Sequence, residues 1–119
     1  MNAMNEIETL QKRLRQFAIE RDWEQFHAPK NLAMALIVEA AELVEHFQWL
    51  TEQQSYELED DKLQDVALEL ADIFIYSLRL AERLNIDLLD SVNKKIEINE
   101  QKYPVDKVKG SSKKYTEYS

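Results

Sequence analysis

The chain has 119 residues, and its 15 Lys and Arg against 23 Asp and Glu give a formal net charge of −8. This length favours one domain. The negative charge argues against a nucleic-acid polymer as partner, because such binding needs a basic surface that neutralises many phosphates. With no cysteine, one glycine and two prolines, the composition offers no disulfide framework and favours helices over sheet. We therefore expect an all-α domain.

The beginning of the chain has no feature of a targeting segment. The first residues, MNAMNEIETLQKRL, include acids and no apolar core of the signal-peptide type. No stretch of the chain reaches the roughly 18 uninterrupted apolar residues of a membrane span. Together with the absence of cysteine, this predicts a cytoplasmic protein without membrane contact.

Apolar residues at helical spacing predict a first helix over about residues 5–22, with Asn5 as its N-cap. The connection at residues 22–30 is rich in aromatic and polar side chains, and Pro29 suits the first turn of the next helix. Loops held by rigid helices are common places for binding groups. We therefore treat this connection as a candidate binding segment.

Residues 31–49 predict one long helix that carries acids on an apolar face. Glu39 and Glu42 are three residues apart, so they point the same way from adjacent turns. The apolar residues that share the face of Glu39 are Leu32, Leu36, Leu43 and Leu50. Burying ionised carboxylates is costly unless a cation or hydrogen-bond donors compensate. The pattern therefore predicts a positive group at this face.

Residues 65–80 repeat the arrangement, with Glu69 and Asp72 again three apart. Each pair also has an aromatic residue seven positions after one of its acids: Trp49 follows Glu42, and Tyr76 follows Glu69. Two such helices packed face to face would present four carboxylates to one point, and hard divalent cations prefer oxygen ligands. The predicted ligands of Mg²⁺, or of Mn²⁺ in its place, are Glu39, Glu42, Glu69 and Asp72.

The remaining elements follow from start and stop signals. Residues 51–60 are polar and predict a turn or a short helical bridge, and the third helix extends to about Asn85. Asp87 is a plausible N-cap for a fourth helix over about residues 88–101, which Pro104 ends. The segment beyond it has the composition of a mobile tail. The predicted organisation is a helical domain at 1–104 and a tail at 105–119.

The acid pairs and their flanks together resemble a known family. Glu39-x-x-Glu42 followed by Glu69-x-x-Asp72 is similar to the signature of the MazG-like, all-α nucleotide pyrophosphohydrolases. The segments that resemble the dCTP pyrophosphatase branch of that family are Asp22-Trp-Glu-Gln-Phe-His27, Pro29-Lys-Asn-Leu32, Phe47-Gln-Trp49, Lys102-Tyr-Pro104 and Lys114-Tyr-Thr116. The likeness runs from about Leu14 to Tyr115. Val38 departs from the wider family, in which many members have an extra glutamate there.

The resemblance implies a four-helix, bundle-like catalytic domain that assembles into a homodimer or homotetramer. It implies Mg²⁺-dependent hydrolysis of a nucleoside triphosphate, most closely dCTP or a modified dCTP, to the monophosphate and pyrophosphate, as in nucleotide-pool sanitation. Aromatic residues at the matching positions wall the base pocket of the family. The implied substrate-binding residues are Trp23, Gln25, Phe26, His27, Lys30, Asn31, Trp49, Tyr76 and Lys102, and phosphate contact by Lys113 and Lys114 is implied for the tail.

Each feature also has a plainer interpretation. An acid pair on a helix is usually a solvated face, and the aromatic residues could belong to the core. Glu24-x-x-His27 resembles one element of di-iron bundles, which need two such elements on facing helices. The rival function is a non-enzymatic helical adaptor whose acids serve subunit contacts or one structural cation. The pattern leaves open the base and sugar preference, the number of metal ions and the general base.

Overall fold

The computed structural model describes residues 5–111, where every regular element is helical. Contacts divide the chain into two compact units, Met1–Ile86 and Asp87–Ser119. The helices of the first unit are α1 (Glu6–Glu20), α2 (Pro29–Glu45), α3 (Glu52–Ser55) and α4 (Asp60–Arg83), and those of the second are α5 (Leu88–Lys102) and α6 (Val105–Val108). The all-α prediction is confirmed, and the four predicted helices correspond to α1, α2, α4 and α5.

α1 begins at the predicted cap. The side chain of Asn5 accepts a hydrogen bond from the backbone N–H of Glu8 at 2.8 Å, which satisfies one of the free amides of the first turn. Asp22 follows the helix with a φ of 56°, a left-handed conformation that Asp tolerates better than most residues. The chain then forms a short 3₁₀ helix, Glu24–Phe26, and enters α2.

α2 differs from the expectation at its C-terminal end. Pro29 occupies the first turn as predicted, but the helix ends at Glu45. Beyond it, several amides donate to carbonyls three residues back, as Phe47 N does to Val44 O at 2.9 Å. The prediction of one helix through residue 49 is therefore wrong. Trp49 lies in the turn that follows α2.

The next helix begins at a cap of its own. Thr51 Oγ1 accepts from the backbone N–H of Gln54 at 3.1 Å, and Gln54 Oε1 accepts from the backbone N–H of Thr51 at 2.9 Å. This capping box holds Thr51 in an extended conformation, so a continuous helix cannot pass through it. Leu50 consequently does not share the face of Glu39, and the prediction that it does is wrong.

α4 is the longest helix of the first unit and carries most of its core. The helix packs against α2 and, less extensively, against α1. Leu78 of α4, Leu32 of α2 and Ala18 of α1 are buried at these contacts. Gln11 Nε2 also donates to the carbonyl of Leu78 at 3.0 Å, which joins α1 to α4. α4 thereby positions both neighbouring helices.

The second unit begins at the predicted cap. Asp87 accepts from the backbone N–H of Asp90 at 3.0 Å, and α5 then runs to Lys102, as expected within one residue. Pro104 ends this stretch and caps α6, a short helix within the segment that the sequence predicted as a tail. The division of the chain at residue 104 stays a prediction. Within residues 5–111, no helix combines the length and apolar content needed to cross a bilayer.

Truncating Leu78 should test this core. Its side chain is 1% exposed, so Leu78→Ala should lower the free energy of unfolding by about 2 to 5 kcal/mol through lost burial and a residual cavity. Leu63, which is 54% exposed on the same helix, is the matched control, and Leu63→Ala should cost under about 1 kcal/mol. Urea denaturation followed by circular dichroism measures both. Equal losses would contradict the central place of Leu78.

Candidate metal and nucleotide site

Three of the four predicted acids meet between α2 and α4. One carboxylate oxygen from each of Glu39, Glu69 and Asp72 lies within 4.8 Å of the other two. Glu39 comes from α2, and the other two come from adjacent turns of α4, so the packing of the helices sets their separation. Three oxygens this close suit a hard divalent cation. We call Glu39, Glu69 and Asp72 the acid cluster.

Glu42, the fourth predicted ligand, lies beside the acid cluster. It stands one turn after Glu39 on α2, and its carboxyl group is among the neighbours that raise the pKa of Glu39. Its oxygens do not join the compact set of three. The structure therefore places Glu42 at the edge of the cluster, as the neighbour of Glu39.

The electrostatics of the cluster fit a bound cation. Burial, followed by the neighbouring carboxyl groups of Glu69, Glu42 and Asp72, raises the pKa of Glu39 to about 7. Glu39 Oε2 and Glu69 Oε2 are both buried, and neither has a hydrogen-bond partner among the described residues. Leaving such oxygens without a partner is costly. The oxygen-only donor set fits Mg²⁺ or Mn²⁺, which would supply the missing contacts.

His46 joins the acid cluster to a basic side chain. Its Nε2 lies 3.9 Å from Glu69 Oε1, and its Nδ1 lies 3.3 Å from Lys62 Nζ. Lys62 is not among the site residues predicted from the sequence. Both residues line a cavity of about 440 Å³ together with Trp49, which we call the Trp49 cavity. Positive charge is thus available beside the acids.

A second cavity, of about 280 Å³, reaches the acid cluster at Asp72. Its walls include three predicted substrate-binding residues, Trp23, His27 and Tyr76, and we call it the Trp23 cavity. Burial and the nearby charges of the acids raise the pKa of Tyr76, so its hydroxyl stays protonated. A cavity with aromatic walls that ends at a carboxylate can hold a flat ring beside a metal-bound phosphate.

Two further residues of the Trp23 cavity were not predicted from the sequence. Phe17 meets Trp23 edge to face, with ring centroids 5.7 Å apart. Arg79 also lines the cavity. The spacing of the sequence could have indicated Arg79. It follows Asp72 by seven residues, just as Tyr76 follows Glu69, so it lies on the same face of α4.

Ion pairs fasten the loop that carries Trp23 and His27 to α4. Arg79 donates to Glu24 Oε1 at 2.5 Å, and Arg83 donates to Glu24 Oε2 at 3.0 Å. Arg83 Nε also donates to the carbonyl of His27 at 3.1 Å. Two guanidinium groups thus engage the carboxylate of Glu24. This arrangement gives Glu24-x-x-His27 a structural ion-pairing role and leaves no need for a di-iron interpretation.

The chain resembles known proteins closely enough to identify its family. A sequence model of the MazG-like family matches residues 34–118, which include both acid pairs. The chain belongs to the MazG-like family. The chain is 42% identical over 113 residues to dCTP pyrophosphatase 1 of Homo sapiens and, equally, to that of Mus musculus. These alignments cover 93% of this chain and 66% of each relative, so the chain spans just under two thirds of their length.

A solved structure gives the same picture of the MazG-like chain. A pyrophosphatase of Archaeoglobus fulgidus superimposes with a TM-score of 0.81 at 37% identity. The match covers 87% of this chain and 97% of that one. The family resemblance drawn from the acid pairs is therefore confirmed by sequence and by structure.

The other predicted substrate-binding residues lie in the entrance to α2 or in the second unit. Gln25 Nε2 donates to the carbonyl of Asp22 at 2.9 Å, and Asn31 Nδ2 donates to the carbonyl of Phe26 at 3.3 Å, so both amides serve the loop itself. Those that line neither the Trp23 cavity nor the Trp49 cavity are Gln25, Phe26, Lys30, Asn31 and Lys102. Lys113 and Lys114 lie outside the described residues. Substrate contact by these side chains stays a prediction.

Glu39 should make the stability of the metal-free MazG-like chain depend on pH. Because its pKa is raised from 4.5 to about 7, the folded state retains a proton in a range where the unfolded state has released it. The melting temperature measured in EDTA should therefore fall as pH rises from about 5 to about 7. Glu39→Gln should flatten this slope, whereas Glu45→Gln, at an exposed position of the same helix, should keep it. An unchanged slope in Glu39→Gln would contradict the assignment.

Proposed function

We propose that this chain is a Mg²⁺-dependent nucleoside triphosphate pyrophosphohydrolase that converts dCTP or a modified dCTP to the monophosphate and pyrophosphate. The observation that carries the proposal is that Asp72 belongs both to the acid cluster and to the wall of the Trp23 cavity. A cation site joined to an aromatic cavity suits a nucleotide, whose phosphates need positive charge and whose base needs flat contact area. The identity to dCTP pyrophosphatase 1 supports cytosine as the base.

The four acids have different proposed roles, according to where each one lies. When bound, Mg²⁺ would supply positive charge that offsets the phosphate charge and makes the α-phosphorus more electrophilic. Glu39, Glu69 and Asp72 would hold the cation. Glu42, at the edge of the cluster and outside the compact set, is the carboxylate that we assign to accepting a proton from the attacking water.

Positive side chains balance the triphosphate. Lys62 and His46 stand beside Glu69, within reach of phosphate groups that a cation at the acid cluster would bind. Lys30 and Lys102 remain the basic residues that the sequence favoured for the same task. The rings of Trp23 and Tyr76 supply the apolar faces against which the base packs.

We also propose that the enzyme works as a homo-oligomer. Within one chain, Trp23 and Trp49 line separate cavities, so a base that contacts both tryptophans needs a second copy of the chain. Large apolar side chains remain exposed on α2 and α4, among them Met34, Ile37, Leu70 and Phe74. Contiguous exposed apolar area usually marks an interaction surface. A measurement of the molecular mass in solution distinguishes a dimer from a tetramer.

The products and the metal requirement test the activity. With Mg²⁺, dCTP should yield dCMP and pyrophosphate, and EDTA should abolish turnover. Loss of a residue that only hydrogen-bonds to a metal ligand costs roughly 10- to 100-fold in activity. Asp72→Asn should reduce turnover by more than that, because Asp72 is itself a proposed ligand. Asp65→Asn, at an exposed position of the same helix, is the matched control.

Two outcomes of that assay would contradict the proposal. Release of inorganic phosphate with a diphosphate product would exclude attack at the α-phosphorus. No turnover on any of a panel of nucleoside triphosphates would favour the helical adaptor with a structural cation. Ion chromatography of the products distinguishes the cases.

The tryptophans should affect base binding more than the chemical step. Trp23→Ala and Trp49→Ala should raise KM by about 5- to 150-fold, the equivalent of about 1 to 3 kcal/mol of lost stacking. The value of kcat should fall less, because stacking acts on ground state and transition state alike. Tyr56, 85% exposed, offers the control variant Tyr56→Ala, for which KM should not change.

Trp49 is 86% exposed in the chain, which argues against the alternative that it belongs to the core. A core tryptophan would cost about 3 to 5 kcal/mol on truncation. A loss of that size in a monomeric Trp49→Ala variant, with KM unchanged across a panel of bases, would contradict the base-binding role.

A further inference from the structure

One ring nitrogen of His27 meets a guanidinium that can only donate. Arg79 Nη2 lies 3.2 Å from His27 Nδ1, and arginine has no acceptor atom. A hydrogen bond at this distance therefore requires Nδ1 to be unprotonated, which puts the proton of the neutral ring on Nε2. We propose that Arg79 is a positioning residue that holds His27 in the Nε2–H tautomer, so that the Trp23 cavity presents a hydrogen-bond donor to the base.

Arg79 is itself held firmly. It is 2% exposed, and besides His27 it donates to Glu24 Oε1 at 2.5 Å and to Glu82 Oε1 at 3.0 Å. Two carboxylates, Glu82 at Nη1 and Glu24 at Nη2, orient the guanidinium and compensate its charge. Arginine does not lose its proton in proteins, so this partner cannot change from donor to acceptor. The tautomer of His27 is thus imposed by a rigid neighbour.

The main chain of His27 is fixed as well. Its N–H donates to the carbonyl of Glu24 at 3.1 Å, and its own carbonyl accepts from Arg83. Burial and the charges of Arg79 and Arg83, opposed by Glu24, lower the pKa of His27, which favours the neutral ring. Among the described residues, no hydrogen-bond partner is found for Nε2, and the ring lines the Trp23 cavity. Nε2–H is therefore available to a ligand.

A donor at this point selects between pyrimidines, an inference that rests on the proposed function. Cytosine presents two adjacent acceptors, the unprotonated N3 and the carbonyl O2. Uracil and thymine carry a proton on N3, which would face the Nε2–H of His27 and leave both donors unsatisfied. His27 as a fixed donor thus favours a base with an unprotonated ring nitrogen on this edge.

The tautomer can be measured without nucleotide. The chain contains two histidines, so long-range ¹H–¹⁵N spectra of protein labelled with ¹⁵N-histidine show two rings, and His46→Gln assigns them. At neutral pH, His27 should have a pyridine-type Nδ1 and a pyrrole-type Nε2. A predominant Nδ1–H form or an imidazolium in the wild-type protein would overturn the proposal, whatever the variants show.

A pair of arginine variants isolates the contact. Arg79→Met removes the donor and should give His27 a mixture of tautomers, while Arg79→Lys restores a cationic donor and should return the ring toward the Nε2–H form. Arg83→Met is the matched control, because Arg83 lies one turn further along α4 and shares the partner Glu24 but donates to the backbone of His27 only. The control should keep the wild-type tautomer. An unchanged ring in a folded Arg79→Met variant would refute the role of Arg79.

Kinetics with a substrate analogue test the donor itself. In 3-deaza-dCTP a C–H group replaces the N3 acceptor, so wild-type enzyme should show a KM about 3- to 10-fold higher than for dCTP, as one neutral hydrogen bond implies. His27→Phe retains a ring but has no donor, and it should treat the two substrates alike. The same preference in both proteins would overturn the donor role. Failure of the wild-type enzyme to hydrolyse either nucleotide would contradict the proposed activity alone, and the measured tautomer would still decide the role of Arg79.

Discussion

The packing of α2 against α4 confines three carboxylates to one small volume, and the site depends on this constraint. Glu39, Glu69 and Asp72 repel one another, and burial removes the water that would screen them. The core around Leu32 and Leu78 nevertheless holds the helices together. Without a cation, a proton on Glu39 relieves the repulsion, as the pKa of about 7 for that group indicates. If a cation bound here, the same oxygens would become its ligands, so metal binding would be coupled to proton release.

One face of α4 carries side chains of the acid cluster, of the Trp23 cavity and of the contact with the loop before α2. Glu69 and Asp72 contribute to the acid cluster, Tyr76 walls the Trp23 cavity one turn further on, and Arg79 then fastens the loop that brings His27. These side chains recur at three or four residues, so one rigid helix sets the distance from the acid cluster to the Trp23 cavity. A mutation that shifts α4 should disturb the acid cluster and the Trp23 cavity together.

The loops beside α2 place the two tryptophans differently. Trp23 is packed against Phe17 and held near the ion pairs of Glu24, so its cavity is formed within one chain. Trp49 follows the early end of α2 and stays largely exposed. Trp23 and Trp49 line separate cavities within one chain, which is why we connect base binding with oligomer formation. A second copy of the chain would bring apolar partners to the exposed side chains of α2 and α4.

The sequence by itself determined what local chemistry controls. Asn5 and Asp87 cap helices because their side chains reach amides three residues away, and each acid pair shares a face because its spacing matches one helical turn. The end of α2 was missed because the helical pattern continues past Glu45 and no Gly or Pro at residues 45–50 marks the point where the helix ends. Only the tertiary structure decided that Glu42 lies at the edge of the acid cluster and that Arg79 meets Glu24 and His27. Those contacts join residues far apart in the chain. The angle at which the helices pack sets the distances between these residues, and no local sequence pattern encodes that angle.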